Sequence, residues 1–199
     1  MLTEAATMQR LNWNDGTWTT PPVEAREEGT DLFVTAAEKS DAWRITSYGF
    51  ERYNAHALVA PLAQDSAMEV VFTANFDEQF DQAGIFLTAG PDAWVKAGVE
   101  FADGHPMVGA VVTNPLSDWS TSPVDEWQGR RVRVRLSRSG DAVTVRAGLD
   151  GGELRLVRLA AFPADAEGQA GPFTCAPERA GLSVRFHEWS LGPADLSLH

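Results

Sequence analysis

Cysteine is nearly absent: Cys175 stands alone among 199 residues. No disulfide can form within the chain, and a reducing, cytoplasmic setting is expected. Basic residues are scarce as well, 16 Lys and Arg against 28 Asp and Glu, for a formal net charge of −12. That deficit argues against nucleic-acid and acidic-membrane partners, which are captured by clustered cations. No segment approaches the roughly 20 apolar residues that a membrane-crossing helix needs, and residues 1–10 lack a basic stretch followed by an apolar run. The four histidines, His56, His105, His187 and His199, are scattered. Without His-x-x-x-His or Cys-x-x-Cys spacing, no transition-metal site is expected. Abundant loop Asp and Asn leave a calcium ion open, although EF-hand spacing is missing. No Gly-rich loop precedes a helix, so no nucleotide cofactor is expected, nor any other cofactor.

Long helical stretches are missing too, because 17 Gly and 11 Pro interrupt the chain throughout. What the chain has instead is period-two alternation, the pattern of antiparallel strands. Strands are predicted at 32–36, 42–45, 56–61, 67–74, 83–88, 93–101, 106–113, 130–137, 142–149, 154–160, 170–173 and 181–191. So many short strands call for two packed sheets, an all-β antiparallel sandwich or jelly roll. Asp103-Gly104, Ser139-Gly140-Asp141 and Asp150-Gly151-Gly152 sit between alternating runs and read as hairpin turns. The polar segment 114–123, with a proline near each end, reads as a loop. Residues 1–199 read as one domain, with flexible ends at about 1–10 and 193–199.

Alternation also assigns faces. In the run from Trp94, the residues Val95, Ala97, Val99 and Phe101 point inward, and Trp94, Lys96, Gly98 and Glu100 outward. In the preceding strand Gln82, Gly84 and Phe86 share one face. Arg131, Arg133 and Arg135 oppose Val132, Val134 and Leu136 and read as a solvated face. If these strands lie in one sheet, its outer face carries Gln82, Lys96, Glu100, Arg133 or Arg135, and Trp94. Carboxylate, amide and guanidinium groups beside an aromatic suit a hydroxyl-rich ligand. Gly84 and Gly98 mark a close approach by another backbone or by a ligand. Trp13, Trp18, Trp127 and Trp189 are expected in or beside the core. Trp43, Trp94 and Trp119 are expected at an exposed rim, with Trp119 as a stacking platform on the 114–123 loop. His56 is a further residue that could face a ligand, and Cys175 reads as a buried structural thiol.

The ordered set Trp13-Asn14, Asp41-Ala42-Trp43-Arg44, Asp81-Gln82-Ala83-Gly84, Trp94-Val95-Lys96-Ala97-Gly98-Val99-Glu100, Val112-Thr113 and Ser117-Asp118-Trp119-Ser120 resembles the DUF1349 family of the concanavalin A-like lectin/glucanase superfamily. The stretches 171–177 and 181–186 are similar to the closing strands of that superfamily. The resemblance implies a two-sheet jelly roll whose concave face holds sugars, and Trp43, Gln82, Lys96, Glu100, Thr113, Asp118 and Trp119 as ligand-binding positions. It also implies, for members described as regulating enolase, a protein-interaction role.

Three functional expectations follow. The first is a lectin-like domain that binds a carbohydrate or small polyol without established catalysis, so no catalytic residue is assigned. The second is a cytoplasmic protein-interaction or regulatory module with a protein partner. The third is a glycosidase, for which Glu100 and Asp118 are the available carboxyl pair. Against it, the Glu-x-Asp-x-x-Glu pattern typical of the superfamily's retaining glucanases is missing. A carboxylate beside Lys96 would also stay ionised, which suits binding better than proton donation.

Overall fold

The structure, a computed structural model, describes residues 7–195 and Ser197. Residues 1–6 and His199, which belong to the ends expected to be flexible, lie outside the described residues. The strands are β1 (Gln9–Arg10), β2 (Thr17–Trp18), β3 (Glu24–Glu28), β4 (Asp31–Thr35), β5 (Ala42–Arg44), β6 (Glu51–Tyr53), β7 (His56–Leu62), β8 (Ser66–Ala74), β9 (Gln82–Thr88), β10 (Trp94–Ala102), β11 (His105–Thr113), β12 (Ser117–Pro123), β13 (Arg130–Ser139), β14 (Ala142–Leu149), β15 (Arg155–Ala161), β16 (Gly168–Cys175) and β17 (Ser183–Pro193). Helix is confined, among the described residues, to single 3-10 turns at Trp13–Asp15 and Asp125–Trp127.

Two antiparallel sheets form a sandwich. One runs β15-β14-β13-β8-β17-β4-β3, with β1 added to β17. The other runs β12-β11-β10-β9-β16-β7-β2, and β5 and β6 form a separate hairpin. Alternation sorts the side chains between the sheets as predicted. Ala83, Ile85 and Leu87, Val95, Ala97 and Val99, and Val108, Ala110 and Val112 meet Met68, Val70 and Phe72, and Val132, Val134 and Leu136, in one core. Trp127 and Trp189 are buried in it, Trp13 is nearly so, and Trp18 packs at its margin. Each fully buried large side chain contributes roughly 1.5–3 kcal/mol relative to exposure.

The predicted hairpins β10–β11, β13–β14 and β14–β15 all pair. Asp103 (φ 54°) and Gly104 (φ 85°) both take the left-handed region that a tight two-residue turn demands.

Three readings are corrected. Segment 114–123 is not a loop throughout, because Ser117–Pro123 forms β12 at the edge of its sheet. An edge strand leaves one ladder side open and tolerates polar residues and a terminal proline, which hides it from a composition-based reading. The wholly exposed Glu24–Glu28 strand went unpredicted for the same reason. Second, Arg133 and Arg135 lie on β13, in the sheet opposite Lys96 and Glu100, and contribute nothing to their face. Third, these arginines are not a solvated row. Arg133 meets Glu69 (2.5 Å), Asp150 (2.9 Å) and Glu188 (3.2 Å), while Arg135 meets Glu69 (3.0 Å) and Asp195 (2.7 Å).

At the two ends, Gln9 and Arg10 pair with Leu191 and Ser190, and Pro193 lies opposite Ser66.

Candidate functional site

The outer face of the seven-stranded sheet is built in three rows by strand register. One row reads Phe86, Lys96, Val111 and Trp119, and another reads Cys175, Gln82, Glu100 and Met107. Between them run Phe173, Gly84, Gly98, Gly109 and Thr121. At Gly84 and Gly98 an added Cβ would lie inside contact distance of the facing Ala97 and Ala83 carbonyls. The close approach is therefore by neighbouring backbone, and it leaves the floor between Lys96 and Glu100 free of side chains.

The β5–β6 hairpin covers part of this face. Trp43 packs with Phe86, Trp94, Val111, Phe173 and Cys175 in a second, smaller core. Tyr53 reaches Thr88 through a 2.5 Å hydroxyl contact, and its ring lies against Phe86 and Trp94. Thr113 and Ser117 share a 2.8 Å hydrogen bond, and the Arg44 amide donates to Ser117 Oγ at 2.8 Å. That chain ties the hairpin to β11 and β12.

Beside the hairpin opens a cavity of about 270 Å³. Trp43, Tyr48, Phe50, Phe80 and Trp119 form its aromatic walls, while Asp41, Gln82, Lys96 and Glu100 supply the polar floor, and Arg52 and Glu178 also line it. A narrow extension of about 20 Å³ continues over Gly98 and Gly109. Lys96 is buried and donates to Asp41 Oδ1 at 2.6 Å. Burial alone would lower its pKa, but Asp41, with Cys175 and Glu100, pushes it up to about 12. Glu100 is in the opposite condition. Its Oε1 is enclosed with no hydrogen-bond partner among the described residues. Burial raises its pKa to about 7, against the downward pull of Lys96 and with a further push from Asp41. The Cys175 thiol approaches Asp41 Oδ1 at 3.9 Å, and burial raises its pKa well above the usual thiol value. It is inert as a nucleophile and packs in the second core beneath the floor.

The structure thus brings together five of the seven predicted positions: Trp43, Gln82, Lys96, Glu100 and Trp119. Thr113 is almost wholly buried in the hairpin tether. Asp118 pairs with Val112, whose side chain faces the main core, so it points away from Trp119, and Arg158 of the opposite sheet holds its carboxylate at 2.7 Å. Glu100 and Asp118 therefore do not converge as a carboxyl pair.

The rim expectation holds for Trp119, which is 38% exposed, and fails for Trp94 and Trp43, which are 1% and 7% exposed. Trp94 lies on the outer face as alternation requires, but the hairpin covers it, and Trp43, on β5 of that hairpin, packs down against the same face. His56 does not face the cavity: Nε2 accepts from the Ala37 amide at 3.0 Å and Nδ1 faces the Thr20 carbonyl at 3.1 Å. Burial lowers its pKa and keeps it neutral. Among the described residues no three His, Cys, Asp or Glu side chains gather as a metal site.

Asp41, first residue of the Asp41-Ala42-Trp43-Arg44 run, is a site residue that strand alternation does not reveal, because nothing local links it to Lys96, 55 positions away. Tyr48, Phe50 and Arg52 gave no signal, since an irregular hairpin has no periodicity to read.

A β-sandwich with one outer face capped by a hairpin, leaving an aromatic-walled polar cavity, is the class of protein defined by this geometry. The family described as "Protein of unknown function (DUF1349)" matches residues 18–194, and the chain belongs to it. A Saccharomyces cerevisiae relative described as "Regulation of enolase protein 1" is 36% identical over 187 residues, 94% of each chain. The crystal structure of a functionally unknown protein from Saccharomyces cerevisiae matches with TM-score 0.87 at 35% identity, covering 94% of this chain and 100% of that one. A xylan beta-1,4-xylosidase from Bacillus halodurans matches with TM-score 0.64 at 12% identity, over 81% of this chain and 32% of its own. At that identity the likeness is one of fold. Among the described residues, no helix is long and apolar enough to cross a membrane.

Proposed function

We propose that the chain is a single-domain, concanavalin A-like jelly roll that binds a carbohydrate or similar polyol in the cavity beside the β5–β6 hairpin, without established catalysis. The observation that carries this reading is Glu100, which lines the aromatic-walled cavity and whose enclosed Oε1 has no hydrogen-bond partner among the described residues. Buried polar atoms are nearly always satisfied, so an unpaired oxygen on a residue that lines a cavity favours a hydrogen-bond donor held there. A sugar hydroxyl fits Glu100, with the Gln82 side chain beside it. The ring's apolar face fits Trp119 and Tyr48, both exposed at the mouth. A cytoplasmic setting belongs to the same reading.

The test is calorimetric titration with a panel of neutral mono- and oligosaccharides, on the wild type and Trp119→Ala. Saturable binding that weakens at least tenfold in Trp119→Ala supports the reading; silence across the panel counts against it.

A second reading, a protein-interaction or regulatory module, is favoured by the name of the yeast relative. The exposed Tyr48, Phe50 and Trp119 side chains are its candidate contacts. Stoichiometric co-purification of one defined protein, abolished by Tyr48→Ala, would favour it over sugar binding.

A further inference from the structure

We propose that the ligand of this cavity carries a basic nitrogen on its hydroxylated skeleton, as an amino sugar does, and that Glu100 receives the ammonium. This inference rests on the polyol reading above and narrows it.

The charges around the cavity are unequal. Three carboxyl groups, Asp41, Glu100 and Glu178, face two cations, Lys96 and Arg52. Lys96 is committed to Asp41 at 2.6 Å, so the adjacent ammonium does not serve Glu100 as a hydrogen-bond partner. Arg52 is held over the Phe50 ring, 5.1 Å from its centroid, and shows that this wall accepts a cation on an aromatic face. What is left is Glu100, a carboxyl group that lines the aromatic-walled cavity with one oxygen unpaired among the described residues. A neutral hydroxyl could donate to it; an ammonium donates, balances its charge and is drawn to the ring faces as well.

The pH dependence follows from Glu100 and from everything that faces it. Lys96 lies on the same strand, Cys175 and Gln82 share its row, and Asp41, Arg52 and Glu178 line the cavity from other segments. With its pKa raised to about 7, Glu100 is mostly protonated at pH 5.5 and half ionised at pH 7.0. An ammonium ligand prefers the ionised form, so its affinity should climb about tenfold across that interval. A neutral sugar should show little change.

The experiment is calorimetric titration of the full chain with D-glucosamine and D-glucose at pH 5.5 and 7.0, for wild type and Glu100→Gln. The expected result is glucosamine at least tenfold tighter than glucose at pH 7.0. That advantage should collapse at pH 5.5, where wild-type glucose affinity stays within about threefold of its pH 7.0 value, and in Glu100→Gln the two sugars should bind alike. Equal affinities for the two sugars would overturn the amine inference and leave the polyol reading standing. Binding of neither sugar would overturn the amine inference, and the neutral panel then decides the polyol reading separately. Should Glu100→Gln fail to fold, the wild-type comparison at two pH values decides alone.

Discussion

The two outer faces of the sandwich carry charged residues placed by the same alternation, yet they resolve their charges differently. On β13, Arg133 and Arg135 are enclosed by Glu69, Asp150, Glu188 and Asp195, with both guanidiniums engaged by carboxylates. On β10, Lys96 pairs with Asp41, whereas Glu100 Oε1 has no hydrogen-bond partner among the described residues. A closed network needs no ligand to explain it, because each charge is balanced within the fold. An open one invites a donor, since an enclosed oxygen without a partner carries a desolvation cost. The difference separates a structural cluster from a candidate binding floor without reference to any relative.

The largest effect that would break this comparison is expected at the buried pair. Lys96→Met leaves Asp41 without its cation and should lower stability by about 3–5 kcal/mol. Adding Asp41→Asn should recover at least half, measured by urea unfolding at pH 7. A loss below about 1 kcal/mol in the single variant would mean the pair is not held as described.

Next comes Glu100. Its folded-state pKa is raised from 4.5 to about 7, so between those values the native state holds a proton that the unfolded chain has released. The stability associated with the neutral carboxyl is fully present below pH 4.5 and is lost as pH rises through 7. Glu100→Gln should therefore stabilise the protein by about 2 kcal/mol at pH 8 and by almost nothing at pH 4. A variant equally stable to wild type at both values would show that Glu100 carries no strain.

Arg133→Met probes the closed network. Its side chain is 21% exposed, so solvent screening holds the expected loss to about 1 kcal/mol, shrinking further in 0.5 M salt. The smallest stability effect is expected for Trp119→Ala, under about 0.5 kcal/mol, because that ring already faces water. Its consequence should appear in ligand titrations instead. A large drop in thermal stability would recast Trp119 as a packing residue.

Much of this was legible beforehand, for reasons particular residues make plain. The inward row Val95, Ala97 and Val99 and the outward row Lys96, Gly98 and Glu100 are a matter of period two, which no tertiary contact alters. Turns at Asp103-Gly104 and Gly140 follow from the need for positive φ. Edge strands such as Ser117–Pro123 were not legible, because an unpaired side removes the demand for apolar residues. Nor was the partner of each charge. Lys96 and Asp41 are 55 positions apart, and Asp118 and Trp119, adjacent in the chain, point to opposite sides of their sheet.

By itself, then, the amino-acid sequence determined the all-β class, most of the strands, the composition of the main core and the face on which Lys96 and Glu100 stand. Those are local properties, dictated by side-chain period and backbone dihedral preference. The tertiary structure alone decided that the β5–β6 hairpin buries Trp94 and its own Trp43 against the sheet, that Asp41 neutralises Lys96, and that Glu100 Oε1 is enclosed without a partner among the described residues. Burial and charge pairing depend on which distant segments meet, and that is set by how the sheets and the hairpin close on one another.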